Sequence, residues 1–125
     1  MVQEKQVMII EDDPDMIELL SLVLRRGGYT PVPAQGGKEG LRLLQEMTPR
    51  LILLDLMMED MNGWVVLEAI KEDDALRHIP VLIVSARHQL EDVVQTAAHR
   101  HQFEGYVVKP FVVRDLLAQI QEVME

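Results

Sequence analysis

The sequence predicts one α/β domain, an open parallel sheet with helices on both faces. Three observations carry that prediction. Four short apolar runs, Val7 to Ile10, Leu51 to Leu54, Pro80 to Val84 and Tyr106 to Val108, lack the two-residue alternation of a half-exposed strand. Such runs suit strands buried on both faces of a parallel sheet. The segments between them carry apolar residues at helical spacing. Capping and breaking residues fall at the joints, so strand and helix alternate five times along the chain.

Val7 to Ile10 is the first strand. Asp13-Pro14 then reads as an N-cap followed by proline in the first helical position, where a missing N–H costs little. Ile17, Leu20, Val23 and Leu24 form the first helical stripe, and Gly27-Gly28 ends it. The weaker run from Tyr29 to Pro33 holds two prolines, which demotes it to an edge strand. Leu41, Leu44 and Met47 make the second stripe, and Thr48-Pro49 separates it from the strand Leu51 to Leu54. Trp64 to Ile70 is a less regular third helix. Leu90, Val93, Val94, Ala97 and Ala98 mark the fourth, and Val113, Leu116, Leu117, Ile120, Val123 and Met124 the fifth. No repeat or linker interrupts this pattern, so residues 1–125 are expected to form a single domain.

Composition narrows the function. Acidic side chains number 21 against 12 basic ones, a net charge of −9. Such a surface repels phosphate backbones and anionic membranes, so no direct nucleic-acid or membrane partner is expected. With no cysteine there are no disulfides, thiolate metal sites or cysteine nucleophiles, which fits a cytoplasmic setting. No apolar run approaches the ~18 residues of a membrane span, and no signal-peptide pattern opens the chain. The eight methionines read as core filler.

Ligands of open parallel sheets bind beyond the carboxyl ends of the strands. Glu11, Asp12 and Asp13 follow the first run, Asp55 the third, Ser85 the fourth, and Lys109 with Pro110 the last. The second strand, ending in Ala34, contributes nothing obvious. Each residue alone is unremarkable: acids suit a helix start, and most lysines lie on surfaces. Together they bring carboxylates, a hydroxyl and an ammonium to one rim. Clustered carboxylates need a cation, and hard oxygen ligands at a wet rim favour Mg²⁺. The whole set suits a phosphoryl group, with a carboxylate as nucleophile.

At this point a resemblance becomes specific. Met8 to Asp15 resembles the acidic-pocket motif of response-regulator receiver domains from two-component systems. Leu53-Leu54-Asp55-Leu56-Met57-Met58 with Met61-Asn62-Gly63 resembles their phosphoacceptor motif and the loop after it. Val84-Ser85-Ala86 resembles the switch motif, and Tyr106 to Phe111 the lysine motif. The likeness spans essentially the whole chain. It implies a three-layer, flavodoxin-like (βα)5 fold with strand order 2-1-3-4-5.

The resemblance also implies roles. Asp55 accepts phosphate from a phosphohistidine. Asp12 and Asp55 bind Mg²⁺ (Mn²⁺ is an expected substitute), Glu11 acts through water, and Met57 offers its backbone carbonyl. Ser85 and Lys109 contact phosphoryl oxygens, Tyr106 rotates with the position of Ser85, and Lys109-Pro110 is a cis peptide. The implied partners are a sensor histidine kinase or histidine phosphotransfer protein, and a downstream target or output domain that the sequence does not identify. Phosphorylation would alter the face of the fourth helix, fifth strand and fifth helix, with homodimerisation as one compatible outcome. The implied protein is a self-modifying switch rather than a turnover enzyme.

The chain departs from the family pattern at Glu59, where proline is usual, and at Asn62, where aspartate is usual. Glu59 is expected to loosen the loop after Asp55. Bulky Met57 and Arg87 are expected to shield the acyl phosphate from water, so Met57→Asn should dephosphorylate faster. Three rivals compete with this reading. A Mg²⁺-dependent phosphohydrolase typically needs a second aspartate where Met57 stands. A phosphorylation-independent interaction module predicts a ruined pocket. A flavodoxin-like FMN protein would want a Ser/Thr/Gly-rich loop after its first strand, where Glu11-Asp12-Asp13 repels phosphate instead. Of the histidines, His78 reads as a loop residue, His99 and His101 as helix-end cations, and His88 as a candidate pH sensor near Ser85.

Overall fold

The computed structural model describes residues 5–86 and 103–125. Five parallel strands, β1 (Gln6–Glu11), β2 (Thr30–Gln35), β3 (Leu51–Leu54), β4 (Val81–Ala86) and β5 (Gly105–Lys109), form one sheet in the order β2-β1-β3-β4-β5. The described helices are α1 (Pro14–Arg26), α2 (Gly37–Leu43), α3 (Gly63–Glu72) and the C-terminal α4 (Val113–Met124). The fourth predicted stripe, Leu90 to Ala98, lies outside the described residues.

The unbroken apolar runs have a simple cause. Side chains along a strand alternate between faces, and here both faces are covered. Val7, Ile9, Leu51 and Leu53 pack with Leu20, Val23 and Leu24 of α1 and with Leu116 and Ile120 of α4. Met8, Ile10, Ile52 and Leu54 pack on the other face with Val66, Leu67 and Ile70 of α3 and with Leu41 and Leu44 at the end of α2. Two cores therefore clamp one sheet.

The joints follow local chemistry. Asp13 caps α1 by accepting from the Asp15 amide, with Pro14 opening the helix. Gly28 ends it in the left-handed region at φ 87°. Among the described residues the edge strand β2 pairs only with β1. Pro31 and Pro33, two residues apart, share one side of that strand, so their missing N–H groups weaken only its open edge. The second stripe is shorter as a helix than its spacing suggests. After Leu43 the chain tightens into turns, with Gln45 N donating to Arg42 O and Glu46 N to Leu43 O, while Leu44 and Met47 keep their core contacts.

Candidate functional site

The strand order reverses between β2 and β3 on either side of β1, and such a reversal leaves a crevice at the carboxyl edge. β1 delivers Glu11 and Asp12 there, and β3 delivers Asp55. Single carboxylate oxygens of these three residues lie within 4.8 Å of one another. Glu11 and Asp55 are 2% and 6% exposed, so water screens their repulsion poorly.

Each acid has its own compensation. Lys109 Nζ donates to Glu11 Oε1 at 2.6 Å and lies 3.6 Å from Asp55 Oδ2. The Ser85 hydroxyl, fully buried, donates to Asp55 Oδ1 at 3.0 Å. Met57 N reaches the same oxygen at 3.4 Å. Asp12 Oδ2 accepts from the backbone N–H of Glu59 at 2.9 Å. Burial pushes the Glu11 carboxyl above its ordinary value. The Lys109 hydrogen bond opposes that shift, and the nearby Asp55 charge adds to it.

The donor set fits a small hard cation. Three carboxylates, all hard oxygen donors, converge within one ion's reach.

Ser85 lies inside β4, paired with Val108 of β5, rather than beyond the strand end. Lys109 closes β5, and the Lys109-Pro110 peptide is cis. Met57, whose backbone N lies beside Asp55 Oδ1, is 58% exposed. Tyr106 is 48% exposed, with its ring edge-on to Phe103 at 6.5 Å. Arg87, His88, His99 and His101 lie outside the described residues.

Four features were not anticipated from the sequence. β2 does contribute to the rim, contrary to the expectation: it runs one residue past Ala34, and Gln35 Nε2 donates to Asp12 O at 3.3 Å. Asp60 tethers the loop after β3 to the start of α2, accepting from Gly37 N at 3.1 Å and Lys38 N at 2.9 Å. The loop at Glu59 is therefore anchored rather than loosened. Gly63 permits the next helix to sit against the Asp55 backbone, because a Cβ there would meet Asp55 O and Leu56 Cα at 2.5 Å. Asn62 caps that helix by accepting from Trp64 N at 2.7 Å, a role the usual aspartate would fill equally well. Backbone donors and tether partners leave little trace in a sequence. An Asx cap before an apolar stripe is the one legible signal among them.

Comparisons with known proteins agree with this geometry. Residues 7–121 match the family model described as the response regulator receiver domain. The DNA-binding dual master transcriptional regulator RpaA of Synechocystis is 33% identical over 119 residues, covering 95% of this chain and 48% of the regulator. The phosphate regulon transcriptional regulatory protein PhoB of Escherichia coli is 32% identical over 123 residues, covering 96% and 52%. The chain thus spans about half the length of these relatives. Among solved structures, the N-terminal domain of a response regulator receiver protein from Methanoculleus marisnigri is 35% identical with a TM-score of 0.73, covering 94% of each chain. Chemotaxis protein CheY4 of Vibrio cholerae is 25% identical with a TM-score of 0.84, covering 94% and 97%. With the family model matching nearly the whole chain, the protein belongs to the response regulator receiver domain family of two-component signal transduction.

Proposed function

We propose that Asp55 is the phosphoryl acceptor of this receiver domain and that residues 1–125 act as one signalling switch. The observation that carries this is the environment of Asp55. It is a nearly buried carboxylate with a hydroxyl on one oxygen and an ammonium 3.6 Å from the other. An oxygen of Asp55 attacks the phosphorus of a phosphohistidine on a kinase or phosphotransfer protein. The P–N bond breaks, a P–O bond forms, and the departing imidazole takes a proton. Lys109, already between Glu11 and Asp55, is placed to follow the new charge onto the phosphoryl oxygens. Ser85 keeps its hydroxyl on the same side by donating to a phosphoryl oxygen in place of Asp55 Oδ1.

Asp12 and Asp55 would hold Mg²⁺, with Glu11 at second hand because Lys109 occupies its Oε1. Bound there, the ion supplies charge neutralisation to the transferring phosphoryl group. The response regulator TrrA of Thermotoga maritima, solved in complex with Mg²⁺-BeF, shares the fold at a TM-score of 0.82 and 23% identity. Met57, two residues past Asp55, has no acid or base to offer, which favours a switch over a turnover phosphohydrolase. The output is read at β5 and α4, where half-exposed Tyr106 provides the moving surface. Such a readout shifts the population between two states of one domain. A cytoplasmic kinase partner suits this reading.

The test is direct. The protein is incubated with acetyl phosphate and Mg²⁺ and weighed intact. One phosphoryl adduct is expected in the wild type and none in Asp55→Ala. An adduct of equal yield in Asp55→Ala contradicts the proposal.

A further inference from the structure

The site carries a departure from its family at Glu59, and the structure gives that departure a consequence. A proline at this position would have no N–H. Here the Glu59 N–H donates to Asp12 Oδ2 at 2.9 Å, across 47 residues of chain. Among the described residues this is the hydrogen bond made to the Asp12 side chain. The next residue, Asp60, ties the same loop to Gly37 and Lys38. The loop after Asp55 is thus pinned at two consecutive residues, once to a cation ligand and once to the start of α2.

A carboxylate has two oxygens. With Oδ2 held by a backbone amide, Asp12 is fixed in orientation and its other oxygen is left for a cation. An N–H···O⁻ bond is charge-assisted and short-ranged, so it both orients the ligand and offsets part of its repulsion with Glu11 and Asp55. Hydrogen-bonded outer partners of metal ligands commonly set affinity by 10- to 100-fold.

We propose that Glu59 is a positioning residue for cation binding, acting through its backbone N–H on Asp12. This rests on the reading of Asp12 as a Mg²⁺ ligand. Restoring the proline that is usual in the family would therefore weaken Mg²⁺ binding in this chain, although it stiffens the loop. The Glu59 side chain is exposed and its charge is separable from the N–H: Glu59→Gln keeps the donor and removes the charge, whereas Glu59→Pro removes both.

Mg²⁺ titration calorimetry on wild type, Glu59→Gln and Glu59→Pro tests this. Glu59→Gln should bind within about twofold of wild type, and Glu59→Pro about tenfold more weakly than Glu59→Gln. Equal affinity in the two variants overturns the proposal while leaving Asp12 as a ligand. No Mg²⁺ binding in wild type overturns the functional reading itself. Amide exchange of the wild-type protein gives a measurement independent of the proline variant. The Glu59 N–H should be protected both without and with saturating Mg²⁺, and loss of its protection on Mg²⁺ binding would show that the bond does not support the loaded site.

Discussion

Two charged clusters in this protein use the same side-chain chemistry with different consequences. On α2, Arg42 donates to Glu39 at 2.8 Å and to Glu46 at 3.0 Å, with all three side chains in water. At the strand rim, Lys109 meets Glu11 at 2.6 Å with side chains 19% and 3% exposed. The distances are alike, but the solvent is not. In water the Arg42 network is screened and its partners are free to part. At the rim the charges are desolvated, so each acid must be matched by a particular donor, and removing one donor leaves a cost that no solvent absorbs. The difference teaches that distance alone does not set the energetic weight of an ion pair. Burial together with excess acid does.

The largest effect is expected where the floor of the rim is disturbed. Gly63→Ala places a methyl 2.5 Å from Asp55 O and Leu56 Cα, backbone atoms that cannot swing aside. The loss should be about 3 kcal/mol or more in urea unfolding, with phosphorylation falling in parallel. Lys109→Ala strands Glu11 and should cost about 3 kcal/mol near neutral pH. That cost should shrink as the pH falls, because Glu11 is already pushed toward its protonated form by burial and can shed its charge. A Lys109→Ala protein as stable as wild type at neutral pH would mean the rim pair is no different from the surface one.

Smaller effects sharpen the comparison. Asp60 is exposed, yet its two backbone hydrogen bonds hold its carboxyl below the ordinary value. A lowered carboxyl pKa stabilises the fold above the unfolded value of about 4, and that contribution is lost as pH falls through the lower folded value. Asp60→Ala should therefore cost about 0.5–1 kcal/mol at neutral pH after solvent screening, and the gap to wild type should close in acid. Thermal unfolding across pH measures both. Arg42→Ala should leave the melting temperature unchanged within error, although Glu39 is held low and Arg42 high by their contact.

The strands were legible because burial on both faces turns them into uninterrupted apolar runs, as at Leu51 to Leu54. The ends of α1 were legible because Asp13, Pro14 and Gly28 each answer a specific backbone demand. The end of α2 was not, since Leu44 and Met47 keep helical spacing and core contact after the helix has tightened into turns. The rim acids could be placed because each stands directly at the carboxyl end of an apolar run. Gln35 could not, because its contact is made to a backbone carbonyl 23 residues away. The Glu59 amide could not either. Every residue but proline has such a donor, and only the fold shows where it points.

Above all, we propose that the rim makes Asp55 a nucleophile. Borohydride reduction after treatment with acetyl phosphate and Mg²⁺, followed by peptide mapping, tests this most directly, because reduction marks the carboxyl that carried the acyl phosphate. A single mark at Asp55 is expected. A mark at Glu11 or Asp12, or none on a protein that has gained a phosphoryl group, would contradict it.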